Sequence, residues 1–383
     1  MKTNWQTKKL EDVANVHGGG TPPTSHPEYF QGNINWYSPT EIPKFEVTTL
    51  KESQKKISDS AIKFTTISRT NSVLLTSRAT IGTVGILSTA SGYSQGIKGI
   101  EPGPELDSWY LAHWLRSNKD EIINKASGTT FKEISTSEIK KLEIPIPPIA
   151  QQKKIVNSIE NILGKIEKAK ENTEKNLQNA KALFESYLQS IFANPGKDWE
   201  EKRLGDVCMV IAGQSPEGKF YNKSGRGLPF YQGKKEFEER YLGKPTTWTT
   251  DITKEAQNGD ILMSVRAPVG PINFATQKIC IGRGLTAIRA GKDIDENFLF
   301  YNLLSKEKEI IGNAGAVFAS INKSDIESLK LFLPSLPEQK SIDIKLDTIY
   351  AETKKLEAIY KQKLADLEEL KKSVLRKAFK GEL

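Results

Sequence analysis

The stretch WQTKKLEDVANVHGGGTPP at residues 5–23 returns in altered form as WEEKRLGDVCMVIAGQSPE at residues 199–217. Two more pairs follow in the same order: SVLLTSRATIG (72–82) with DILMSVRAPVG (260–270), and LEIPIPPIAQQKKI (142–155) with LKLFLPSLPEQKSI (329–342). The offset between copies falls only from 194 to 187 positions, whereas a solenoid repeat spans roughly 20–50 residues. The sequence therefore predicts two copies of a whole globular domain and a following element, related by a pseudo-twofold internal repeat.

Bulk composition is compatible with this organisation and argues against a membrane protein. A chain of 383 residues has room for two or three domains, each with its own core. No apolar run approaches the ~18 residues of a membrane span, and the N-terminus lacks an apolar signal-peptide core. The formal charge of +8, from 55 basic and 47 acidic residues, permits a polyanionic partner without demanding one. We expect a cytoplasmic protein.

Each half begins with a strand-rich domain of mixed α/β character. Short apolar runs broken by Gly, Pro, Asn and Ser predict strands over residues 1–147. A helix capped by Asp107 is expected at Asp107–Asn118, and a shorter helix near Ser135. The segment IPIPPI (144–149) is expected to be a stiff extended connector, because prolines are not tolerated inside a helix. The second half repeats this plan over 195–334, with a helix at Asp295–Ser305.

Two long helices are predicted to follow the domains, over 148–194 and 335–383. Apolar or small residues alternate at spacings of 4 and 3, which is typical of a heptad seam. The predicted seams comprise Ile155, Ile159, Ile162, Ile166, Ala169, Ala180, Leu183 and Tyr187, and Ile342, Leu346, Ile349, Thr353, Leu356, Tyr360, Leu367, Leu370 and Val374. A lone heptad helix cannot bury its stripe, so we expect the helices to pair with each other. The predicted fold class is α/β, with two similar globular domains separated by two long antiparallel coiled-coil helices.

Motifs for catalysis or metal binding are not evident. The three histidines have no ligand spacing and there is no Cys-x-x-Cys pair, so no metal site is predicted. GQSPEGK (213–219) resembles the start of a phosphate loop, but Phe220 replaces the hydroxyl residue that would hold magnesium. A Gly/Pro turn is the simpler interpretation. An enzyme with an unseen catalytic site remains a rival hypothesis.

Taken together, the repeated segments resemble the specificity subunit of Type I restriction–modification enzymes over nearly the whole chain. The resemblance depends on an ordered, duplicated set of motifs and on no single one of them. Besides the openings at Trp5 and Trp199 and the proline connectors, these are INWYSPTEI (34–42), LPFYQGKKEF (228–237), SGTTFKEIS (127–135) and LRKAFKGEL (375–383).

The resemblance implies two target-recognition domains, each reading one half of a bipartite, asymmetric site in double-stranded DNA. It also implies helices that set the spacing and dock two modification (methyltransferase) subunits, with restriction (motor–nuclease) subunits completing the complex. The chain itself would be non-catalytic and bind no cofactor, because S-adenosylmethionine, ATP and magnesium would belong to the partner subunits. The alternative from the structural class is a coiled-coil scaffold whose twin domains bind protein.

Candidate DNA contacts are polar side chains at matching positions of the two halves. Arg78 and Arg266 are each followed by Ala and, three residues on, by Ile-Gly or Val-Gly, so either could meet a guanine edge or a phosphate. A structural arginine paired with a carboxylate is the alternative. Gln95, with Lys98 three residues on, aligns with Arg283, and glutamine favours adenine where arginine favours guanine. An ordinary β-turn is the alternative there.

Two further loops differ between the halves. Thr129, Thr130 and Lys132 stand where the second half has the apolar segment Ala316–Ala319. The first domain could therefore make polar contacts there that the second could not. Gln232, Lys234 and Lys235 follow Tyr231 and form another candidate contact loop, with a solvated turn as the alternative.

Overall fold

The computed structural model describes residues 5–44, 46–128, 132–313 and 320–383, and the side chains of these except 311–313. The chain forms two compact units, one comprising residues 1–173 with 362–383 and the other residues 174–361. Each unit contains one of the repeated domains and a segment from each long helix.

The domain of the first unit is built on a five-stranded sheet of order β2-β10-β7-β8-β4 and a four-stranded sheet of order β5-β3-β9-β6. A two-stranded ribbon of β1 and β11 closes the domain at the start of the long helix. Its elements are β1 Gln6–Lys9, α1 Leu10–Val13, β2 Ala14–Gly18, β3 Ile34–Tyr37, β4 Thr48–Leu50, β5 Lys55–Ile57, β6 Ile67–Ser68, β7 Val73–Thr76, β8 Val84–Leu87, β9 Ser91–Tyr93, β10 Ile97–Pro102, α2 Ser108–Ser117, α3 Lys119–Asn124, α4 Thr136–Lys140, β11 Glu143–Ile146 and the long helix α5 Ile149–Ala193.

The domain of the second unit repeats this topology. The sheet of order β13-β21-β18-β19 matches the first four strands of the larger sheet, and β15 pairs with β20 in parallel as β3 pairs with β9. Its elements are β12 Glu200–Arg203, α6 Leu204–Val207, β13 Cys208–Ala212, β14 Tyr221–Asn222, β15 Leu228–Tyr231, β16 Trp248–Thr249, β17 Glu255–Ala256, β18 Ile261–Ser264, β19 Ile272–Phe274, β20 Ile279–Ile281, β21 Leu285–Ala290, α7 Glu296–Ser305, α8 Glu307–Asn313, α9 Lys323–Glu327, β22 Lys330–Leu333 and the long helix α10 Leu336–Phe379.

Helix caps form where the sequence places them. The Asp107 side chain accepts hydrogen bonds from the backbone N–H groups of Trp109 and Tyr110, and Asp295 caps α7 in the same way. Ser135 accepts from the N–H of Glu138 at the start of α4. Each cap satisfies backbone donors that have no partner within the helix. The predicted helices at these three positions are therefore confirmed.

The predicted proline connectors are shorter than expected. Residues 143–146 form strand β11, in which Pro145 lies opposite Thr7 of β1, so only Pro147 and Pro148 separate strand from helix. A two-stranded ribbon has only edge strands, where proline is tolerated. In the second unit α10 already begins at Leu336, with Pro337 in its first turn, a position that needs no backbone donor.

The two long helices contribute to both units, and their segments run in opposite directions. In the first unit Ile155 and Ile159 near the start of α5 share a core with Leu375 and Phe379 near the end of α10. In the second unit the end of α5 packs on the first part of α10, where the Phe184 and Tyr350 rings lie 5.2 Å apart. The predicted antiparallel pairing of the helices is confirmed.

The predicted seam is wrong at two leucines. Leu183 and Leu370 are 52% and 46% exposed, whereas Phe184 and Leu375 are buried. At Leu183 the helix packs against its domain as well as the other helix, and the adjacent, larger Phe184 takes the buried position. In the last part of α10 the residues that reach the domain core are Leu375, Ala378 and Phe379. Sequence spacing alone could not include this second packing surface.

A buried glutamine joins each long helix to its domain. Gln152 accepts a hydrogen bond from the N–H of Asp107 (2.8 Å) and donates to the carbonyl groups of Glu105 and Pro147 (2.8 Å each). Gln339 repeats these contacts with Asp295, Asp293 and Pro334. Both amides are fully buried. Two of the three hydrogen bonds of each glutamine hold the helix start against the residues that precede α2 or α7, and the third bonds the carbonyl of the proline connector.

Arg240 ties the second domain to α10 within the second unit. Its guanidinium donates to Asp347 Oδ1 at 2.6 Å, to the Tyr301 hydroxyl at 3.2 Å and to Asn297 Oδ1 at 2.9 Å. Four aromatic rings surround the same guanidinium, with centroids 5.2–5.8 Å from its Cζ; they are Tyr241, Phe274, Phe300 and Tyr301. A delocalised cation is stabilised both by such rings and by the carboxylate.

Asp343, one turn before Asp347, gives a pH-dependent prediction. Burial, reinforced by the carboxylates of Asp347 and Asp295, raises its pKa to about 6. Because the pKa of Asp343 is higher in the folded than in the unfolded protein, protonation of Asp343 favours the folded state. This contribution to the free energy of unfolding is complete below about pH 4 and is lost as the pH rises through 6. Asp343→Asn is expected to raise the free energy of unfolding by about 1–3 kcal/mol at pH 8.

Chemical denaturation of both proteins at several pH values measures this effect. The two stabilities should converge near pH 4, where Asp343 is neutral in both states. A stabilisation that is the same at pH 4 and pH 8 would contradict an origin in the Asp343 charge.

Candidate nucleic-acid interface

In the first domain, backbone hydrogen bonds gather five chain segments at one place. Gly19 donates to Ile97 (3.1 Å), Ser94 to Tyr37 (2.9 Å), Ser77 to Gly96 (2.8 Å) and Ile134 to Ser77 (3.2 Å). These bonds link the segments 18–22, 37–41, 76–82, 93–97 and 132–134, which we call the first loop cluster. Since most of these residues lie in loops, the cluster offers side chains rather than a continuous strand edge to a ligand.

The Gly-rich turn is needed for this close assembly. A Cβ atom on Gly19 would lie 2.2 Å from the carbonyl oxygen of Ser94, and one on Gly20 would lie 2.1 Å from that of Phe64. In the second domain a Cβ on Gly213 would meet the carbonyl of Gly282 at 2.2 Å. Only glycine allows backbone to approach backbone this closely.

The second domain forms an equivalent second loop cluster from the segments 213–216, 231–236, 264–270, 281–285 and 320–321. Gly213 donates to Leu285 (3.0 Å), as Gly19 donates to Ile97. Val265 donates to Gly284 and Ile321 donates to Val265, which repeats the bonds of Ser77 and Ile134. The repeated scaffold therefore presents two sets of side chains in matching positions.

The side chains of the first cluster are tied to one carboxylate. Arg78 Nε donates to Glu133 Oε2 at 2.7 Å, and Lys98 Nζ donates to Glu133 Oε1 at 3.2 Å. Burial alone would raise the pKa of Glu133, but the hydrogen bonds and charges of Arg78 and Lys98 outweigh it and lower that pKa. Lys98 is only 8% exposed. Both candidate cations are thus paired with a carboxylate. For Arg78 this pairing is the alternative to a DNA contact that the sequence left open.

In the second cluster the two arginines have no ion-pair partner among the described residues. Arg266 lies opposite Ser320, as Arg78 lies opposite Glu133, so a serine stands at the position of the carboxylate. Arg266 and Arg283 are both exposed, and neither forms an ion pair within the described part of the chain. The Arg283 backbone N–H donates to Ser215 Oγ (3.1 Å), which fixes the loop and leaves the guanidinium to solvent.

A hydroxyl from the Gly-rich turn holds an exposed amide in each cluster. Thr21 Oγ1 donates to Gln95 Oε1 at 2.6 Å, and Ser215 Oγ donates to Gln232 Oε1 at 3.0 Å. Each of these bonds leaves the amide nitrogen as a donor, and a glutamine held in this way can still reach a base edge. Neither Thr21 nor Ser215 is among the residues predicted from the sequence, although both copies of the turn carry a hydroxyl there.

The remaining candidates are partly described. Lys132, Lys234 and Lys235 are exposed, and the last two lie in a short 3₁₀ turn after β15. Thr129 and Thr130 lie outside the described residues. Glu133, next to Lys132, is a further residue that was not predicted from the sequence. Only the fold shows that Glu133 faces Arg78 and Lys98.

Within the described residues, no group of three or more His, Cys, Asp or Glu side chains could hold a metal ion. None of the helices in that part of the chain is both long and apolar enough to cross a membrane. The arrangement instead offers hydrogen-bonding and cationic groups on loops, which is what reading nucleic acid requires.

Comparison with known proteins agrees with this chemistry. The family model described as "Type I restriction modification DNA specificity domain" matches twice, at residues 2–176 and 196–368. A Methanocaldococcus jannaschii protein that carries the name of the MjaX type I restriction enzyme specificity subunit is 37% identical, over 73% of this chain and 69% of its own length. The MjaIX specificity subunit of the same organism is 26% identical over 87% of this chain and 84% of its own.

Solved structures give the same result. A chain from a structure of a type I restriction–modification system, described for its assembly and conformational transition, superposes with a TM-score of 0.82 at 28% identity, covering 99% of this chain and 98% of that one. The HsdS subunit of Thermoanaerobacter tengcongensis gives a TM-score of 0.75 at 27% identity, covering 100% and 98%.

Duplicated α/β domains with matching polar loop clusters, joined by paired long helices, define a DNA-recognition protein rather than a protein-binding scaffold. The chain belongs to the Type I restriction–modification DNA specificity family.

Proposed function

We propose that each domain reads one half of a bipartite, asymmetric DNA site through its loop cluster, and that the paired helices set the gap between the halves. The observation that carries this proposal is a repeated scaffold with different side chains at matching positions. Gln95 in the first cluster corresponds to Arg283 in the second, and Glu133 corresponds to Ser320. Different side chains at equivalent positions of the two domains would recognise two different half-sites.

In the proposed complex this chain catalyses no reaction itself. Modification subunits would dock on the helices and bring S-adenosylmethionine and the methylation chemistry, while restriction subunits would bring ATP, magnesium and cleavage. The support is the family membership together with the polar loops described above. The near-twofold repeat of the helices would allow two copies of one modification subunit to dock.

The experiment is to purify the chain with the modification subunit encoded beside it and to map methylated adenines on genomic DNA. Two different half-sites at a fixed gap are expected. Methylation at a single continuous site would contradict the proposal that each domain reads a separate half-site.

The matched arginines provide a sharper test. Arg266→Ala is expected to weaken binding of the mapped site by about 10-fold to 100-fold, because one good base or phosphate contact contributes about 1–3 kcal/mol. Arg78→Ala is expected to have a smaller effect, since Arg78 must first leave Glu133. Fluorescence anisotropy with a labelled duplex measures both affinities.

The two substitutions control for each other, because they remove the same side chain from matching places in one scaffold. A loss at Arg78 equal to or larger than the loss at Arg266 would show that pairing with Glu133 does not limit contact with DNA.

A further inference from the structure

Two adjoining cavities lie between the first domain and the helices, wholly within the first unit. Their volumes are about 460 Å³ and about 420 Å³. Arg116, Lys119, Lys372 and Leu375 line both of them. The cavities therefore form one groove between the C-terminal end of α2 and the last part of α10, which we call the basic groove.

The basic groove carries a large excess of positive charge. Lys44, Lys170 and Lys371 also line the first cavity, facing Glu167 and Glu368. The second cavity adds Arg376 and Lys380, with Asp120 as its acidic residue. The whole lining thus holds eight basic and three acidic side chains. Clustered charges of one sign within a concave surface concentrate counter-ions of the opposite sign.

Neutralisation within the groove is incomplete. Lys170 pairs with Glu368 at 3.0 Å, and this hydrogen bond lowers the pKa of Glu368. Arg116 is half-buried, and its guanidinium donates no hydrogen bond to any other described residue. Burial lowers the pKa of Arg116, although Glu46 and Glu368 act in the opposite direction. A half-buried guanidinium with its donors unused is suited to a bidentate oxyanion.

The second unit carries no basic residue at four of the matching positions. Leu304 and Glu307 stand where the first half has Arg116 and Lys119, at an offset of 188. Phe184 and Glu185 correspond to Lys371 and Lys372, at an offset of 187. Because the second unit reaches the same fold without these cations, the scaffold does not require them. They are a property of the first unit alone.

The groove is also continuous with the first loop cluster. Its lining includes Pro43 and Lys44, which follow the segment 37–41, and residues 82–84, which overlap the end of the segment 76–82. A polyanion held by the loops at Arg78 and Gln95 would pass directly into the basic groove. A chain of phosphates has the length and charge for this path, whereas a single small anion would occupy only part of it.

We infer that the basic groove binds the sugar–phosphate backbone of the DNA flanking the half-site of the first domain, without reading bases. This inference rests on the proposed function. Contacts of lysine and arginine with phosphate are independent of sequence and release counter-ions. The first domain should therefore hold its DNA more strongly, and with a steeper dependence on salt, than its loop cluster alone would allow.

The test compares two double variants of the full chain, each assembled with the modification subunit. Lys119→Gln with Lys372→Gln removes two cations of the groove; Lys141→Gln with Lys153→Gln removes two exposed lysines of the same unit outside it. Affinity for the mapped site is measured by anisotropy at several salt concentrations. For the groove variant we expect the slope of log K against log salt to fall by about 2 and binding to weaken about tenfold.

The ratio of cognate to non-cognate affinity should stay unchanged in the groove variant, because no base contact is removed, and the control variant should keep the wild-type slope. A wild-type slope and affinity in the groove variant, with the bipartite site still bound, would overturn the inference and leave half-site reading intact. Failure to co-purify with the modification subunit, with DNA binding unchanged, would overturn it in favour of an acidic protein surface. Absence of DNA binding by the wild type would instead overturn the proposed function.

Discussion

Replacing Arg240 with alanine is expected to lower the free energy of unfolding by about 3 kcal/mol. The guanidinium is 15% exposed and its removal would leave Asp347 and the Tyr301 hydroxyl without their shared partner. Truncating one member of a largely buried ion pair costs about 3–5 kcal/mol, and Asp347, which is 43% exposed, regains some hydration. Loss of the contacts with four aromatic rings adds to the effect.

Urea denaturation followed by tryptophan fluorescence measures this change. The matched control is Arg226→Ala, at an exposed arginine of the same unit whose side chain, among the described residues, bonds only to Ser224. The effect of this control should stay within about 0.5 kcal/mol. An Arg240→Ala protein as stable as the control would mean that the aromatic packing holds the domain on α10 without the charge.

Lengthening the paired helices is expected to change the gap between the two half-sites. Both helices pass from one unit to the other, α5 after Thr173 and α10 after Lys361. Seven residues inserted at each of these points preserve the heptad pattern and add about 10 Å of helix. Since DNA rises about 3.4 Å per base pair, the mapped gap should grow by about three base pairs.

Four residues inserted in α5 alone form the contrasting variant. They rotate one seam against the other and should abolish methylation or alter the gap. Methylation mapping reports both outcomes. An unchanged gap and undiminished activity in both variants would rule out the helices as the element that sets the spacing.

Much of the fold could be predicted because the repeat and the helix signals are local. Asp107 and Asp295 each precede an apolar helix, and such caps need only neighbouring residues. The errors arose where distant segments meet. Leu183 fits a heptad in sequence, but Phe184 is the residue that reaches the domain core. Likewise Pro145 suggests a connector until its partner strand β1 is known.

The loop clusters could be predicted only in part. The alignment of Arg78 with Arg266 identified the right positions, because the flanking residues repeat. The alignment could not show that Glu133 pairs with Arg78, or that Ser320 lies opposite Arg266. These partners lie more than 50 residues further along the chain. The basic groove could not be predicted from the sequence either, because its basic residues come from a loop, from α2, α3 and α5, and from the last part of the chain, and they meet only in the folded unit.

The glutamine contacts of Gln152 and Gln339 attach the two domains to their helices in the same way. Each domain is fastened to its helix through three hydrogen bonds with backbone groups, which depend little on the side chains of the domain itself. A recombination event that replaced only the residues of one domain, and left its glutamine and the long helices in place, would therefore join a new recognition domain to the existing helices. One chain could in this way acquire a new half-site without any adjustment of the helices on which the rest of the complex depends.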